Sequence, residues 1–392
     1  MSGTSVASRF ERVGAIALVA AAGTIVFSIA IGQTLVAVAV ACWLGTVIAG
    51  RERVEAPRFF WPLLAYAGLT LVSAAFSPQP LTSFVDCKQL VLFLLVPITY
   101  RLMNGSRAQT FVSALVSFAA ASAAYSIVVQ YGILHYDNLG QRVQGTLGHY
   151  MTYSGVLMLV IAAALARILF GERERTWAAL VMPALLVAVT LTLSRNAWVG
   201  VSVAAALLLT LKDVRLLAVL PLLVAIFFGV APTQAQARFR SIFDMNDATN
   251  RDRVAMIQEG ERMIRSHPLV GVGPNMVQQL YAEFRVPGAV QPVNPHLHNV
   301  PVQIAAERGL PALAAWIAFI GVLVVDLAKL LQGRQRFLAA VGLAAVVSMI
   351  VAGLFEYNFG DSEFLMLFLM LITLPFAAAA NGSAKFEVQR LK

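Results

Sequence analysis

Apolar residues in this chain neither alternate nor keep to one face of a helix; they come in long, nearly charge-free runs. A helix that crosses a bilayer needs roughly 20 mostly apolar residues. Twelve runs approach that length, at about 13–31, 34–50, 59–77, 89–103, 110–132, 151–170, 176–193, 196–211, 214–231, 309–331, 337–354 and 363–380. The run at 89–103 is the shortest and carries Pro97. The first run does not read as a cleavable leader, because it is long, lacks a small-residue cleavage pattern and is followed at once by a second run. One polar interval breaks the rhythm. It is a stretch of about 77 residues, 232–308, between the ninth and tenth runs.

Composition agrees with a membrane reading. Of 392 residues, 59% are hydrophobic and 12% charged, against about 25% charged in soluble domains. That much apolar surface exceeds what one water-facing core can hide. A soluble enzyme, a disordered chain and a disulfide-stapled secreted domain are excluded. Cys42 and Cys87 form neither a disulfide framework nor metal-ligand spacing. The net charge of +9 invites a nucleic-acid partner, but the basic residues are arranged by topology instead. With the N-terminus in the cytoplasm, 18 of the 29 Lys and Arg residues fall in alternate connections on the inner side. They include Arg9, Arg12, Arg51, Arg53, Arg58, Arg101, Arg107, Arg167, Lys212 and Arg336, and end with Lys385, Arg390 and Lys392. The short outer connections hold only Lys88, Arg142 and Arg195. The expectation is an all-α integral membrane protein with about twelve transmembrane helices and both termini cytoplasmic. Residues 1–231 would carry nine spans, 232–308 a large outer loop, and 309–392 three spans and a cytoplasmic tail. Its contacts would be with membrane lipids and not with nucleic acid.

The long loop reads as structured. After Asp244-Met245-Asn246-Asp247, Thr249 or Asn250 can cap a helix running from about 250 to 266. Val254, Ile257, Met263 and Ile264 would give it an apolar side, for the membrane surface or for a cavity. Arg251, Arg253, Arg262 and Arg265 decorate the helix, either as a solvated basic face or as anion ligands. Pro268 ends it, and residues 267–275 form a Gly/Pro turn. Gly271-Val272-Gly273 lacks the third glycine and preceding strand of a dinucleotide fingerprint.

All five histidines lie on the expected outer side. In Pro295-His296-Leu297-His298-Asn299, extended backbone would turn both rings to one face. A metal reading has only Glu283 and Glu307 as near carboxylates in sequence. The alternatives are interfacial histidines with a helix-capping Asn299, or a neutral imidazole acting as a base. Ser194-Arg195-Asn196-Ala197-Trp198 sits at a span boundary, where Arg195 either snorkels or holds a phosphate bidentately. The segment from Arg142 to Tyr150 is polar, glycine-containing and aromatic, suited to a sugar or lipid-phosphate cavity. Glu356-Tyr357-Asn358 is polar too, with no specific role assigned by the sequence.

Taken together, the chain resembles the O-antigen ligase and polymerase superfamily of bacterial inner-membrane glycosyltransferases, and within it the O-antigen ligases. The resemblance rests on topology and on the order of short signals: Ser194-Arg195, Arg253, Pro268-Leu269-x-Gly271-x-Gly273, His298-Asn299 and Glu307-Arg308-Gly309. It implies a helical membrane glycosyltransferase (GT-C-like) fold. The implied activity moves a glycan from undecaprenyl diphosphate to a sugar hydroxyl of lipid A–core on the periplasmic face, inverting the anomeric centre. No cofactor and no metal would be needed, and the protein would act as a monomer. On this reading His298 is the base, with His296 as the alternative, and Arg195 and Arg253 grip the diphosphate. Arg251 and Arg265 stand in reserve, and Arg142 and Asn299 are secondary candidates. A polymerase or a protein O-oligosaccharyltransferase would use the same donor and the same residues. A transporter of lipid-linked sugars or small anions would instead want charges within the spans. There Asp326 is the clearest exception, near the inner boundary.

Overall fold

The computed structural model describes residues 3–390, with side chains described for residues 6–380. Lys392 lies outside the described residues, as do the side chains of Lys385 and Arg390. Every apolar run forms helix. In order these are α1 (Gly3–Thr24), α2 (Ile29–Gly50), α3 (Phe60–Ala75), α4 (Pro80–Asp86) continued through a 3-10 stretch into α5 (Leu95–Leu102), and α6 (Arg107–Tyr125). Next come α7 (Tyr150–Phe170), α8 (Arg175–Leu191), α9 (Arg195–Lys212) and α10 (Val219–Val230). The long loop carries α11 (Thr233–Arg240), α12 (Ala248–Ser266) and α13 (Met276–Phe284). The chain ends with α14 (Val300–Leu330), α15 (Arg336–Gly353) and α16 (Ser362–Arg390). Among the described residues there is no strand, only an isolated bridge between Asp137 and Arg142.

Among the described residues, seven helical stretches are long and apolar enough to cross a membrane: Ile29–Gly50, Pro80–Leu102, Arg107–Ile133, Tyr150–Phe170, Val300–Leu330, Arg336–Gly353 and Ser362–Ala380. Phe60–Ala75, Arg175–Leu191 and Val214–Val230 are apolar but shorter. This is the make-up of a multi-pass membrane protein. α7, α15 and α16 form the centre, with 72%, 78% and 78% of their most apolar stretches buried, whereas α2 and α14 bury 28%. α15 packs on α7 and α9, α16 on α5, and α14 on α3. Large apolar side chains such as Ile48, Trp61, Leu180 and Val230 stay exposed on the outside of the bundle, as lipid-facing residues do.

The boundaries depart from the sequence reading in four places. The first two helices meet at residues 25–28, not at 32–33, because Ser28 caps α2 by accepting from Ile31 N at 3.4 Å. The apolar residues on both sides of that serine hid the turn. The run at 89–103 is extended upstream by α4, since a helix tolerates Asp86, Lys88 and Gln89 at its end. The loop helix is capped by Asp247, which accepts from Thr249 N and Asn250 N, rather than by Thr249 or Asn250. Finally, α14 begins at Val300, inside the stretch assigned to the loop, and breaks at Gly309, where φ is 82°.

That break is joined to the Gly/Pro turn. Val272 N donates to Ala306 O, Gly273 N to Glu307 O and Leu310 N to Pro268 O, at 2.8–2.9 Å. Gly271 (φ 69°) and Gly309 approach so closely that a Cβ on either would strike the other segment's backbone. Ser73 Oγ on α3 also donates to Glu307 O at 2.7 Å. Two of the short signals in the sequence are therefore halves of one backbone clamp that fixes the loop to α14.

Candidate functional site

The loop helix presents a different face from the one its sequence suggested. Ala255, Met256, Gly260 and Met263 are buried, while Val254 and Ile257 are exposed and Ile264 is half-buried. Gly260 decides this. A Cβ there would meet Leu297 and Val302, so the side without a side chain is the one that packs on the start of α14. This orientation turns Arg253 inward and leaves Arg251 and Arg265 exposed. Arg265 pairs with Glu261 on its own helix at 2.5 Å. Neither of these reserve arginines reaches the cluster described next.

Four arginines form a loose cluster: Arg142, Arg195 and Arg253 all act electrostatically on Arg238, and Arg195 also on Arg253. Arg195 heads α9 and is almost wholly buried. Its Nη1 donates to Ser241 O (2.8 Å) and Ser241 Oγ (3.0 Å), and its Nη2 to Asp247 Oδ1 (3.2 Å). Its fork is thus committed to holding the loop. Arg238 approaches the other oxygen of Asp247 at 3.6 Å, and its buried Nε has no partner. Burial, then Arg195 and Arg142, lower its pKa to about 10 against the pull of Asp247. Arg142 stacks over the Tyr150 ring at 4.2 Å and donates from Nε to Leu139 O. Arg253 differs from all three. Among the described residues it has no hydrogen bond or ion pair, and burial lowers its pKa although Glu356 opposes that shift. Arg238 was not singled out by the sequence; its polar neighbourhood, Gln234 to Arg240, was the only signal.

The histidine pair sits between this cluster and the connection from α15 to α16. His298 adopts φ 49°, which turns its ring against that of His296, 4.1 Å away. His298 Nδ1 lies 2.9 Å from Glu356 Oε2, and His296 Nε2 lies 3.7 Å from Glu356 Oε1. Burial would raise the pKa of Glu356, but the His298 ring, with His296 and Arg253, holds it at about 2. Burial, together with His298, depresses His296 to about 4 although Glu356 pulls the other way. An ionised Glu356 can only accept, so Nδ1 of His298 carries the hydrogen, and a neutral ring presents its lone pair at Nε2. This is the arrangement of an oriented general base. Asn299 caps α14, accepting from Val302 N at 3.0 Å and donating to Leu354 O at 3.1 Å. Its role is to fix the backbone beside His298.

Glu356 is the residue the sequence placed in a polar patch without a role. It supplies the carboxylate that the metal reading lacked. One ligand atom from each of His296, His298 and Glu356 lies within 4.8 Å of the other two, so this group could hold a transition-metal ion as well as orient a base.

Residues 179–317 match the family model described as O-antigen ligase, the family that the short signals resemble. The match runs from α8 into α14. It takes in Arg195, Arg238, Arg253, His296 and His298, and it leaves Glu356 outside. It supports a membrane enzyme of the O-antigen ligase and polymerase type. No curated protein matches the chain.

Proposed function

We propose that the protein is an O-antigen ligase, which transfers a glycan from undecaprenyl diphosphate to a sugar hydroxyl of lipid A–core on the periplasmic face of the bacterial inner membrane. The observation that carries this reading is the juxtaposition of an oriented imidazole, His298 on Glu356, with the guanidinium of Arg253, which among the described residues makes no hydrogen bond or ion pair. An acceptor hydroxyl must lose a proton as it attacks, and a lipid diphosphate must be held as it departs. One base and one free cation cover both needs.

In this mechanism Nε2 of His298 takes the hydroxyl proton while the acceptor oxygen forms a bond to the anomeric carbon. The bond from that carbon to the phosphate oxygen breaks, and its electron pair leaves with undecaprenyl diphosphate. A single displacement inverts the anomeric centre. Arg253 contacts the diphosphate. Arg195 and Arg238 strengthen the positive field, and Arg195 holds the loop in place. Lipid tails stay in the bilayer while head groups meet between the loop and the bundle.

The test is transfer by purified protein from undecaprenyl-diphosphate glycan to lipid A–core, with and without EDTA, beside His298→Ala. A glycan ladder that resists EDTA and falls at least about a hundredfold in the variant supports the mechanism. Loss of the ladder in EDTA would assign His296, His298 and Glu356 to a metal ion instead. Longer chains on the donor lipid, with none on lipid A–core, would make the protein a polymerase.

A further inference from the structure

Behind the histidines lies a cavity of about 200 Å³ at the ends of α7, α9 and α16. His296 and Glu356 form one wall of it, and none of the four clustered arginines lines it. We infer that this cavity is the subsite for the acceptor's sugar ring, with Asn196 and Asp361 reading its hydroxyls. The inference rests on the transfer reaction proposed above and adds where its second substrate sits.

Asn196 carries the argument. The residue is 6% exposed and lines the cavity, and among the described residues its amide has no hydrogen-bond partner. An amide that faces a cavity with no protein partner is left to a ligand or water to complete. An amide both donates and accepts, as a pair of vicinal sugar hydroxyls does. Across the cavity, Asp361 is held in one orientation. Its Oδ1 accepts from Glu363 N and Phe364 N at the head of α16, and its Oδ2 accepts from Thr152 Oγ1 at 2.5 Å. Oδ1 is filled by its two donors, and Oδ2 retains capacity to accept from a further hydroxyl. The rest of the lining includes Met151, Met158 and Phe364. A lining that mixes polar and apolar side chains suits a pyranose, which has hydroxyl edges and a C–H face. The volume suits a single ring and not an oligosaccharide.

Position favours the acceptor over the donor. In an inverting displacement the nucleophile enters opposite the leaving group. The diphosphate belongs with the arginines, so the nucleophile's ring belongs on the side they do not reach, against the wall that His296 and Glu356 provide.

The experiment uses full-length protein and two readouts. In steady-state transfer, Asn196→Ala raises KM for lipid A–core about fivefold to tenfold, the scale of one or two neutral hydrogen bonds. KM for the donor stays within twofold. Asp361→Asn, which keeps an oxygen for the α16 cap, shifts the acceptor KM in the same direction. The second readout needs no turnover: alkylation of Asn196→Cys, with Cys42 and Cys87 buried, is slowed by free core oligosaccharide and not by undecaprenyl diphosphate. An unchanged acceptor KM, or protection by the donor alone, overturns the inference. If wild-type protein shows no transfer but the oligosaccharide still protects Asn196→Cys, the subsite stands and the transfer reading fails. No protection by the oligosaccharide sinks the subsite whatever the turnover.

Discussion

The two ends of the helical bundle handle their arginines in opposite ways. At the basic end, Arg101 meets Glu52 through two hydrogen bonds, at 2.7 and 2.9 Å, and Glu11 at 3.1 Å, while Arg107 meets Glu11 at 2.6 Å. Arg167 there donates to Gln109 O at 2.8 Å and Ser113 Oγ at 3.0 Å. Those contacts tie α1, α5, α6 and α7 together. At the loop end, Arg142, Arg195, Arg238 and Arg253 face, among the described residues, only Asp247 and Glu356 as carboxylate partners. Buried charge is costly unless it is paired. A paired arginine is therefore part of the scaffold, and on the proposed function an under-paired cluster would attract an anion that arrives from outside.

The sharpest break of that contrast is Arg253→Ala against Arg101→Ala. Arg253→Ala should lower kcat/KM for the lipid-linked donor by about 10² to 10³, the scale for removing one charge-stabilising donor, with the melting temperature unchanged. Arg101→Ala should lower the melting temperature and leave activity per folded molecule intact. The comparison fails if their effects are exchanged. Next in size is Glu356→Gln. Its amide can offer hydrogens to Nδ1 of His298 and stabilise the wrong tautomer, so kcat should fall by at least about tenfold with little change in either KM. A kcat equal to wild type would remove Glu356 from the mechanism.

Arg195 lies between the two classes, a scaffold contact inside the site. Arg195→Ala leaves Asp247 with Arg238 as its remaining charge partner and should destabilise loop docking by about 1.5–3 kcal/mol, the scale of a hydrogen bond to a charged group. Adding Asp247→Ala should recover part of that loss, read as thermal stability. Full additivity would show that the pair is not coupled. A smaller effect concerns pH. Folded His296 titrates at about 4 against 6.5 unfolded, so the unfolded chain binds the extra proton between those values. Stability should fall as pH drops through that window. Glu356, held at about 2 against 4.5, extends the fall below pH 4.5. His296→Ala should flatten the upper part of the thermal-stability profile, and an unchanged profile would contradict the assignment. Least of all, Arg251→Ala and Arg265→Ala should stay within twofold of wild-type activity.

The sequence disclosed the helices because a bilayer demands long apolar runs, and such runs need no knowledge of partners. The loop helix was legible from its caps and from Pro268. Its buried side was not, since Val254 and Ile257 look like core until Gly260 is seen against Leu297 and Val302. The same rotation separates Arg253 from Arg251, two positions that composition cannot tell apart. His298 was readable as a base candidate from its residue type and its neighbours. Its partner Glu356 lies on a different connection, and only packing brings the two together. Arg195 was read as a phosphate ligand. Its hydrogen bonds to Ser241 and Asp247 show how much of it is already committed within the protein.

The clamp between the Gly/Pro turn and the break in α14 bears on how the protein is made. Synthesis runs from the N-terminus, so Pro268 to Gly273 leave the ribosome before Ala306, Glu307 and Leu310 exist to receive them. The loop must wait, its turn unclosed, until the head of α14 has been made. Ser73, translated long before, supplies α3 as a surface already standing for that late arrival. A chain cut within the loop would therefore carry α1 to α10 with Arg142 and Arg195, yet lack His296, His298 and Glu356. Assembly of the histidine pair with Glu356 is a late event in translation.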